Sequence, residues 1–448
     1  ENSAVRPSAG GRVLPNPRFS GAAKKASCDR QLAHFRPVFT RIPADPQDDG
    51  IALEMGEVQT LAVTRQPLLE GLNAQARAER ESAIASEQLP DPKLIGGIQD
   101  LPVSSGDAGS FTRDSDTQIQ VGVMQEFPRA AKRQLRGALN AREADRLDAE
   151  HQLAERTIRR DAALAWLELW RYDQARMLTR ANLREAEAQT QAVEIALKTG
   201  TATQAELLAA RMEAGRLRDT LAGSEQSIEH ARNLLSRWIG QAAFRPVCPD
   251  LPMSPPILPL EVVLERVRSH PHLDGLRVQI AAAETAAELA RAEYAPDWRV
   301  ELGYADRPAF SEMVSLQFGI DLPVLTRNRQ DRGVAAALAK QDVAESAVQD
   351  ALRQLESEAR LNHHDSLRLA ERLKNYDAEL LPQAGSRIKA AIAGWGAGRN
   401  ALREVLDGRR AALELQMTRL ELQHDAAKHV VQLHYLGAYD GVAENTHE

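Results

Sequence analysis

Apolar residues along this chain follow two different periods that recur in the same order in each half. Trp298, Val300, Leu302 and Tyr304 alternate with Arg299, Glu301 and Gly303, and Val314, Leu316, Phe318 and Ile320 alternate with Ser315, Gln317, Gly319 and Asp321. Such period-two alternation predicts strands with one apolar and one polar face. In the first half Ile119, Val121 and Val123 alternate with Gln118, Gln120 and Gly122, and residues 93–101 form a weaker strand. Strands are therefore expected at about 92–102, 115–126, 298–306 and 312–321. Each alternating region ends at an X-Pro pair, Phe127-Pro128 and Leu322-Pro323, and gives way to a long Ala-rich stretch of helical period.

The helices are too long for a globular domain. About 65 residues from Ala130 to Leu197, at about 1.5 Å each, predict a rod of roughly 100 Å. Helices expected at about 57–89 and 203–238 together nearly match that length, so they could stack end to end beside it. Both long patterns break at glycine, in Leu197-Lys198-Thr199-Gly200-Thr201 and Trp395-Gly396-Ala397-Gly398-Arg399, where one helix ends and the next begins.

The order of signals points to an internal two-fold sequence repeat. Gln66-Pro67-Leu68-Leu69 recurs as His270-Pro271-His272-Leu273, each opening a helix that stops at a Pro-Asp pair, Pro90-Asp91 and Pro296-Asp297. The chain divides into an N-terminal extension (1–51), a first repeat (52–240: helix, strand hairpin, long helix, returning helix), a Pro-rich linker (241–260), a second repeat (261–438) and a C-terminal tail (439–448).

Composition excludes several classes. Only 4% of residues are aromatic, and the 43% that are hydrophobic fall in short periodic clusters, never in a run of about 18 that a spanning helix needs. The net charge of -7 comes from interleaved acids and bases, with no basic stripe for nucleic acid. No nucleophile elbow, phosphate-binding loop or His/Cys metal spacing is present, so an enzyme is disfavoured and neither cofactor nor metal is expected. Scattered methionines read as gap fillers. The sequence starts at Glu1 without a charged-then-apolar leader, so either a signal peptide has been removed or this N-terminus is not the native one. Ala26-Ser27-Cys28 faintly suggests lipid attachment, against which the preceding residues are not apolar.

Two hairpins attached to rods have no second sheet to pack on, whereas lipid outside and water inside satisfy their alternation in a closed barrel. Four strands cannot close one, so several chains must contribute. A soluble coiled-coil scaffold is the competing reading; it leaves the hairpins unexplained.

The duplicated hairpin and long-helix plan, with glycine turns followed by Glu206-Leu207-Leu208-Ala209-Ala210 and Glu404-Val405-Leu406-Asp407-Gly408, resembles the TolC family of outer-membrane efflux proteins over about residues 52–438. Residues 125–133 and 322–331 look like its CzcC-type branch, which serves heavy-metal cation exporters. The resemblance implies an α+β membrane protein: a homotrimer whose twelve-strand barrel, four strands per chain, lies in outer-membrane lipid and continues into a periplasmic α-helical barrel. It also implies a periplasmic adaptor (membrane fusion protein) and an inner-membrane resistance-nodulation-division pump as partners. Cargo is then heavy-metal cations, with organic compounds or secreted polypeptides as the alternative.

By the same resemblance, Glu404 and Asp407 form the pore constriction, against a bland reading as a solvated helix face; spaced three apart, they share one face of a helix. The family carries Arg two residues after the second turn glycine where Asn400 stands here, leaving Arg399 or Arg403 as substitutes for a gate-locking ion pair. Gly200, Thr201, Gly398 and Arg399 mark the helical tips where an adaptor docks. Cys28 and Cys248 would come close if the extension and linker both wrap the tunnel's waist; the alternative is two unpaired thiols. His363 and His364 point about 100° apart on a helix and chelate poorly, so a solvated or intersubunit position is expected.

Overall fold

The computed structural model describes residues 52–104, 106–252 and 255–440, to which all structural statements refer. In chain order the elements are α1 (Met55–Thr64), α2 (Pro67–Glu87), β1 (Lys93–Gln99), β2 (Gln118–Phe127), α3 (Ala130–Lys198) and α4 (Gln204–Ile239). There follow α5 (Leu260–Val267), α6 (Pro271–Ala292), β3 (Trp298–Asp306), β4 (Met313–Ile320), α7 (Gln330–Asn375), α8 (Leu381–Gly396) and α9 (Leu402–Tyr435).

The helix expected over 57–89 is two helices. Pro67 has no N–H to donate and disfavours helical geometry at the residue before it, so Gln66 is extended (φ -88°, ψ 113°) and the chain restarts with Pro67 in the first turn of α2. Proline acts again in the second half, where one turn of π-helix, Tyr376–Leu380, joins α7 to α8 immediately before Pro382. A wider turn there accommodates a ring that would otherwise strike the preceding turn's carbonyl. The 69 residues of α3 contain no such break and span about 100 Å at helical rise.

Short helices stack beside the long ones. α2, α1 and α4 all lie along α3, and the Arg65 guanidinium at the end of α1 bonds the Ile239 carbonyl at the end of α4. In the second half α6 and α9 lie along α7, while α3 also packs on α6 and α9. At the waist Leu53 and Val247 form a parallel bridge, and the indole of Trp166, fully buried, donates to the Leu53 carbonyl at 2.9 Å. A second waist cluster gathers Val263, Val267, Leu273, Leu355, Leu433 and Leu436. Tyr439 is buried against it and Asp440 pairs with Arg156 at 2.6 Å, so the first residues of the expected tail belong to the packed body.

The strands form one antiparallel sheet in the order β1-β2-β3-β4. Directly opposed residues share a face. The register therefore puts Leu94, Val123, Leu302 and Leu316 in one row on the same side as the row Val121, Tyr304 and Val314 and the row Gln125, Val300 and Phe318. Lys93, Met124, Glu301 and Gln317 occupy the reverse face. Nothing covers the apolar face: Val314, Leu316 and Phe318 are 73%, 58% and 72% exposed. Among the described residues, no helix is long and apolar enough to cross a membrane.

Candidate functional site

The end of the helical body farthest along the chain from the strands consists of two tight turns. Gly200 (φ 75°) and Gly398 (φ 66°) end α3 and α8 in the left-handed region, which a side chain would strain. The turns share a hydrogen-bond pattern. Thr201 N–H returns to the Ala196 carbonyl at 2.8 Å, and Arg399 N–H to the Gly394 carbonyl at 2.9 Å. All four residues singled out as docking tips, Gly200, Thr201, Gly398 and Arg399, are exposed there. Beneath them Val193, Leu207, Ala210, Ala391, Leu402, Val405 and Leu406 form one buried cluster that fastens the two hairpins together.

The returning helices begin differently. Thr203 caps α4, its hydroxyl accepting from the Glu206 N–H at 3.2 Å while the Glu206 carboxylate accepts from the Thr203 N–H at 2.8 Å. The Thr203 N–H, with help from the Leu402 N–H at the start of α9, holds the Glu206 carboxyl below its ordinary value. In α9 the cap is Ala401, which offers no hydroxyl, so no reciprocal box forms. Glu404, three residues after the cap as Glu206 is in α4, is exposed.

Asp407 is not a bare carboxylate. Arg403 lies 3.5 Å and Arg410 3.6 Å from it on the same helix. Arg410 also reaches across to α4, where its Nη2 lies 2.6 Å from Glu213, a carboxylate 6% exposed that Arg216 bonds at 2.8 Å. Burial opposes ionisation of Glu213, but its bonds to Arg216 and Arg410 win and hold its carboxyl below the usual range. Sequence reading passed over Glu213. Its signal was a carboxylate on the apolar stripe of Ala210, Ala214 and Leu217, a position that needs a cation from a neighbouring helix. Of the proposed substitutes for the absent arginine, Arg403 pairs within its own helix, and the Asn400 amide packs on Gly394, where a Cβ would lie 2.5 Å from its Nδ2.

His363 corrects the expectation of a solvated or intersubunit position. It is buried, 7% exposed, with Nε2 2.9 Å from the Leu258 carbonyl, because its side of α7 packs on the chain approaching α5; His364 is exposed. Cys248 is buried beside the Leu53 bridge, and Cys28 lies outside the described residues, as does any pairing of the two. Among the described residues, no cluster of three or more His, Cys, Asp or Glu could hold a metal ion. A waist groove of about 520 Å³ presents Arg156, Arg159 and Arg160, each already bonded to a carboxylate, Asp440, Glu155 and Asp161 respectively.

No protein-family model matches the sequence, and a search of curated proteins returns no match. Solved structures do match. The outer membrane protein VceC of Vibrio cholerae superposes with a TM-score of 0.71 at 19% identity, covering 86% of this chain and 96% of its own. The fold is that of an outer-membrane channel. CusC, studied for conformational changes accompanying folding and transmembrane channel formation, matches with a TM-score of 0.69 at 16% identity over 90% of this chain and 97% of its own. The open state of the Neisseria gonorrhoeae MtrE outer membrane channel matches at 0.67 and 17% identity over 86% and 89%.

Proposed function

We propose that this chain is one protomer of an outer-membrane efflux duct, a passive conduit and not a catalyst. The observation that carries the reading is the sheet: four strands with an uncovered apolar face and two open edges, set on a helical rod of about 100 Å. In water such a face and such edges invite aggregation, whereas in a lipid-embedded closed barrel lipid covers the face and neighbouring strands satisfy the edges. β2, at 10 residues, is long enough to cross a bilayer when tilted. Phe127 and Trp298 stack at 4.2 Å at the helix end of the sheet, where an aromatic girdle would meet the headgroups.

Three copies would supply twelve strands around a common axis, and internal duplication of the hairpin-plus-rod unit would make the ring nearly six-fold. Exposed apolar residues on both flanks of the rod, Ile84 and Met212 on one side and Val343 and Leu361 on the other, suit packing between copies. The helical barrel then lies in the periplasm, and its tips at Gly200, Thr201, Gly398 and Arg399 dock the hairpins of an adaptor joined to a resistance-nodulation-division pump. Glu404 and Asp407 line the constriction near those tips. The cargo is heavy-metal cations, on the likeness of residues 125–133 and 322–331 to the CzcC-type branch; cargo choice itself rests with the pump.

Expression with a secretion signal in a Gram-negative host, followed by membrane fractionation and planar-bilayer recording, tests the reading. Detergent-dependent extraction from the outer membrane and discrete conductance steps support it. A soluble, non-conducting rod would establish the scaffold instead.

A further inference from the structure

The two hairpins are built to one register. When Pro90-Asp91 is aligned with Pro296-Asp297 and Phe127-Pro128 with Leu322-Pro323, each opposed pair of the first hairpin falls on an opposed pair of the second. Lys93 opposite Met124 becomes Arg299 opposite Gly319, Leu94 opposite Val123 becomes Val300 opposite Phe318, and Ile98 opposite Ile119 becomes Tyr304 opposite Val314. The ion pairs at their bases correspond too. Lys93 lies 2.6 Å from Glu126, and Arg299 lies 3.3 Å from Asp321 at the matching positions.

Where the hairpins join, β2 on β3, a clasp lies directly beneath the sheet. The Lys132 ammonium, 3% exposed, bonds Asp297 at 2.8 Å and approaches Glu293 at 3.4 Å, while the Arg129 N–H donates to Asp297 at 3.0 Å. The start of α3 thereby grips the Pro-Asp corner through which β3 is entered. Under the same alignment Lys132 falls on Arg327 and Asp297 falls on Asp91. These two lie beside the open edges of the sheet, Arg327 after β4 and Asp91 before β1, both exposed, and among the described residues neither makes an ion pair.

We propose that a second copy of this chain seats its β1 on the β4 edge of the first in the register of the internal β2–β3 junction, and that Arg327 of one copy clasps Asp91 of the next. Transferring the β2–β3 pairing sets Ile320 opposite Leu94, Phe318 opposite Gly96 and Leu316 opposite Ile98. All six positions belong to the apolar face within their own copies, so this register keeps that face continuous around the ring, while a slip of one residue would turn one strand's apolar set inward. The contact is head-to-tail and closes into a ring by rotation. It rests on the multi-chain duct reading above. One feature of the internal junction has no counterpart: Arg136 approaches Glu293 at 3.6 Å, but the matching residue Asp331 is acidic and is bonded instead by the Tyr294 hydroxyl at 2.6 Å. The seam between copies therefore carries one cation where the internal junction carries two, and is the weaker of the two.

The experiment uses the full chain assembled in outer membranes. Directly opposed strand residues have Cα atoms about 4.5–5.5 Å apart, within disulfide reach. Oxidised Gly96→Cys/Phe318→Cys should give linked dimers and trimers on denaturing gels, whereas Gly97→Cys/Phe318→Cys, which points one cysteine to the reverse face, should give none beyond the single-cysteine controls. Separately, Asp91→Arg and Arg327→Asp should each reduce detergent-resistant oligomer several-fold, and the combined swap should restore it. Linkage through residue 97 in place of 96 overturns the register, and a swap no better than either single reversal overturns the clasp. Unsubstituted chain that is monomeric in mild detergent would remove the duct reading itself and the seam with it.

Discussion

His270 and Tyr435 lock the start of α6 to the end of α9: the His270 Nε2 lies 3.1 Å from the Tyr435 carbonyl, and the two rings meet edge to face at 5.1 Å. On its other side the His270 Nδ1 accepts from the His272 N–H at 3.2 Å, capping α6. Donating from Nε2 while accepting at Nδ1 requires a neutral imidazole.

Acid should therefore loosen the waist. Burial, reinforced by the nearby Arg156 charge, lowers the His270 pKa to about 4, against which the Tyr435 hydrogen bond and Asp440 act only in part. The unfolded chain binds the proton first, at about 6.5. The stability His270 contributes is thus complete above about pH 6.5 and is lost as pH falls toward 4. Burial depresses His424 and His434 likewise, so they add to the same trend. Thermal melts followed by the fluorescence of Trp166 and Trp170 should show melting temperature falling across that window, and His270→Gln should flatten the fall.

The bond from Arg410 to Glu213 predicts how the tips hold together. Arg410→Ala leaves Arg216 to compensate the buried carboxylate and should cost about 1 kcal/mol. Removing both arginines strands the charge and should cost about 3 kcal/mol or more. Limited proteolysis at residues 199–203 and 397–401 reads the loosening, which should be small for the single variant and large for the double.

The two faces of β4 predict opposite tolerances. Leu316→Arg places a charge on the apolar face and should cost about 2–4 kcal/mol if it lies near the bilayer midplane, seen as lost outer-membrane assembly. Gln317→Arg, on the reverse face, should assemble normally. Equal yields of the two variants would contradict the lipid-facing assignment.

At the proposed constriction, Glu404→Ala with Asp407→Ala should weaken block by multivalent cations in planar-bilayer recordings. Because Arg403 and Arg410 flank Asp407 while Glu404 is exposed, Glu404→Ala alone should give most of the effect. Unchanged block in the double variant would place both side chains outside the pore.

Much of this architecture was legible because its signals are local. Alternation from Trp298 to Tyr304 and from Val314 to Ile320 marks β3 and β4 almost to the residue, and the turn glycines at 200 and 398 end α3 and α8 where expected. The break at Pro67 was present in the sequence but outvoted by helical period on both sides. What stayed hidden was partner choice. Nothing near Lys132 in sequence announces that Asp297 will bury it, and the apolar stripe that carries Glu213 does not name Arg410 as its counterion.

Sequence alone determined where helical and strand periods alternate along the chain and which faces of β2, β3 and β4 are apolar, because backbone sterics and side-chain period act over a few neighbouring residues. Tertiary structure decided which charges are spent within the chain and which are left over. Lys132 and Asp297 neutralise one another across 165 residues of sequence, Asp407 is flanked by two arginines, and among the described residues Arg327 and Asp91 make no ion pair at the open edges. A charge's environment depends on what packs against it in space, and for residues so far apart in the chain only the folded path of the backbone brings that neighbour near.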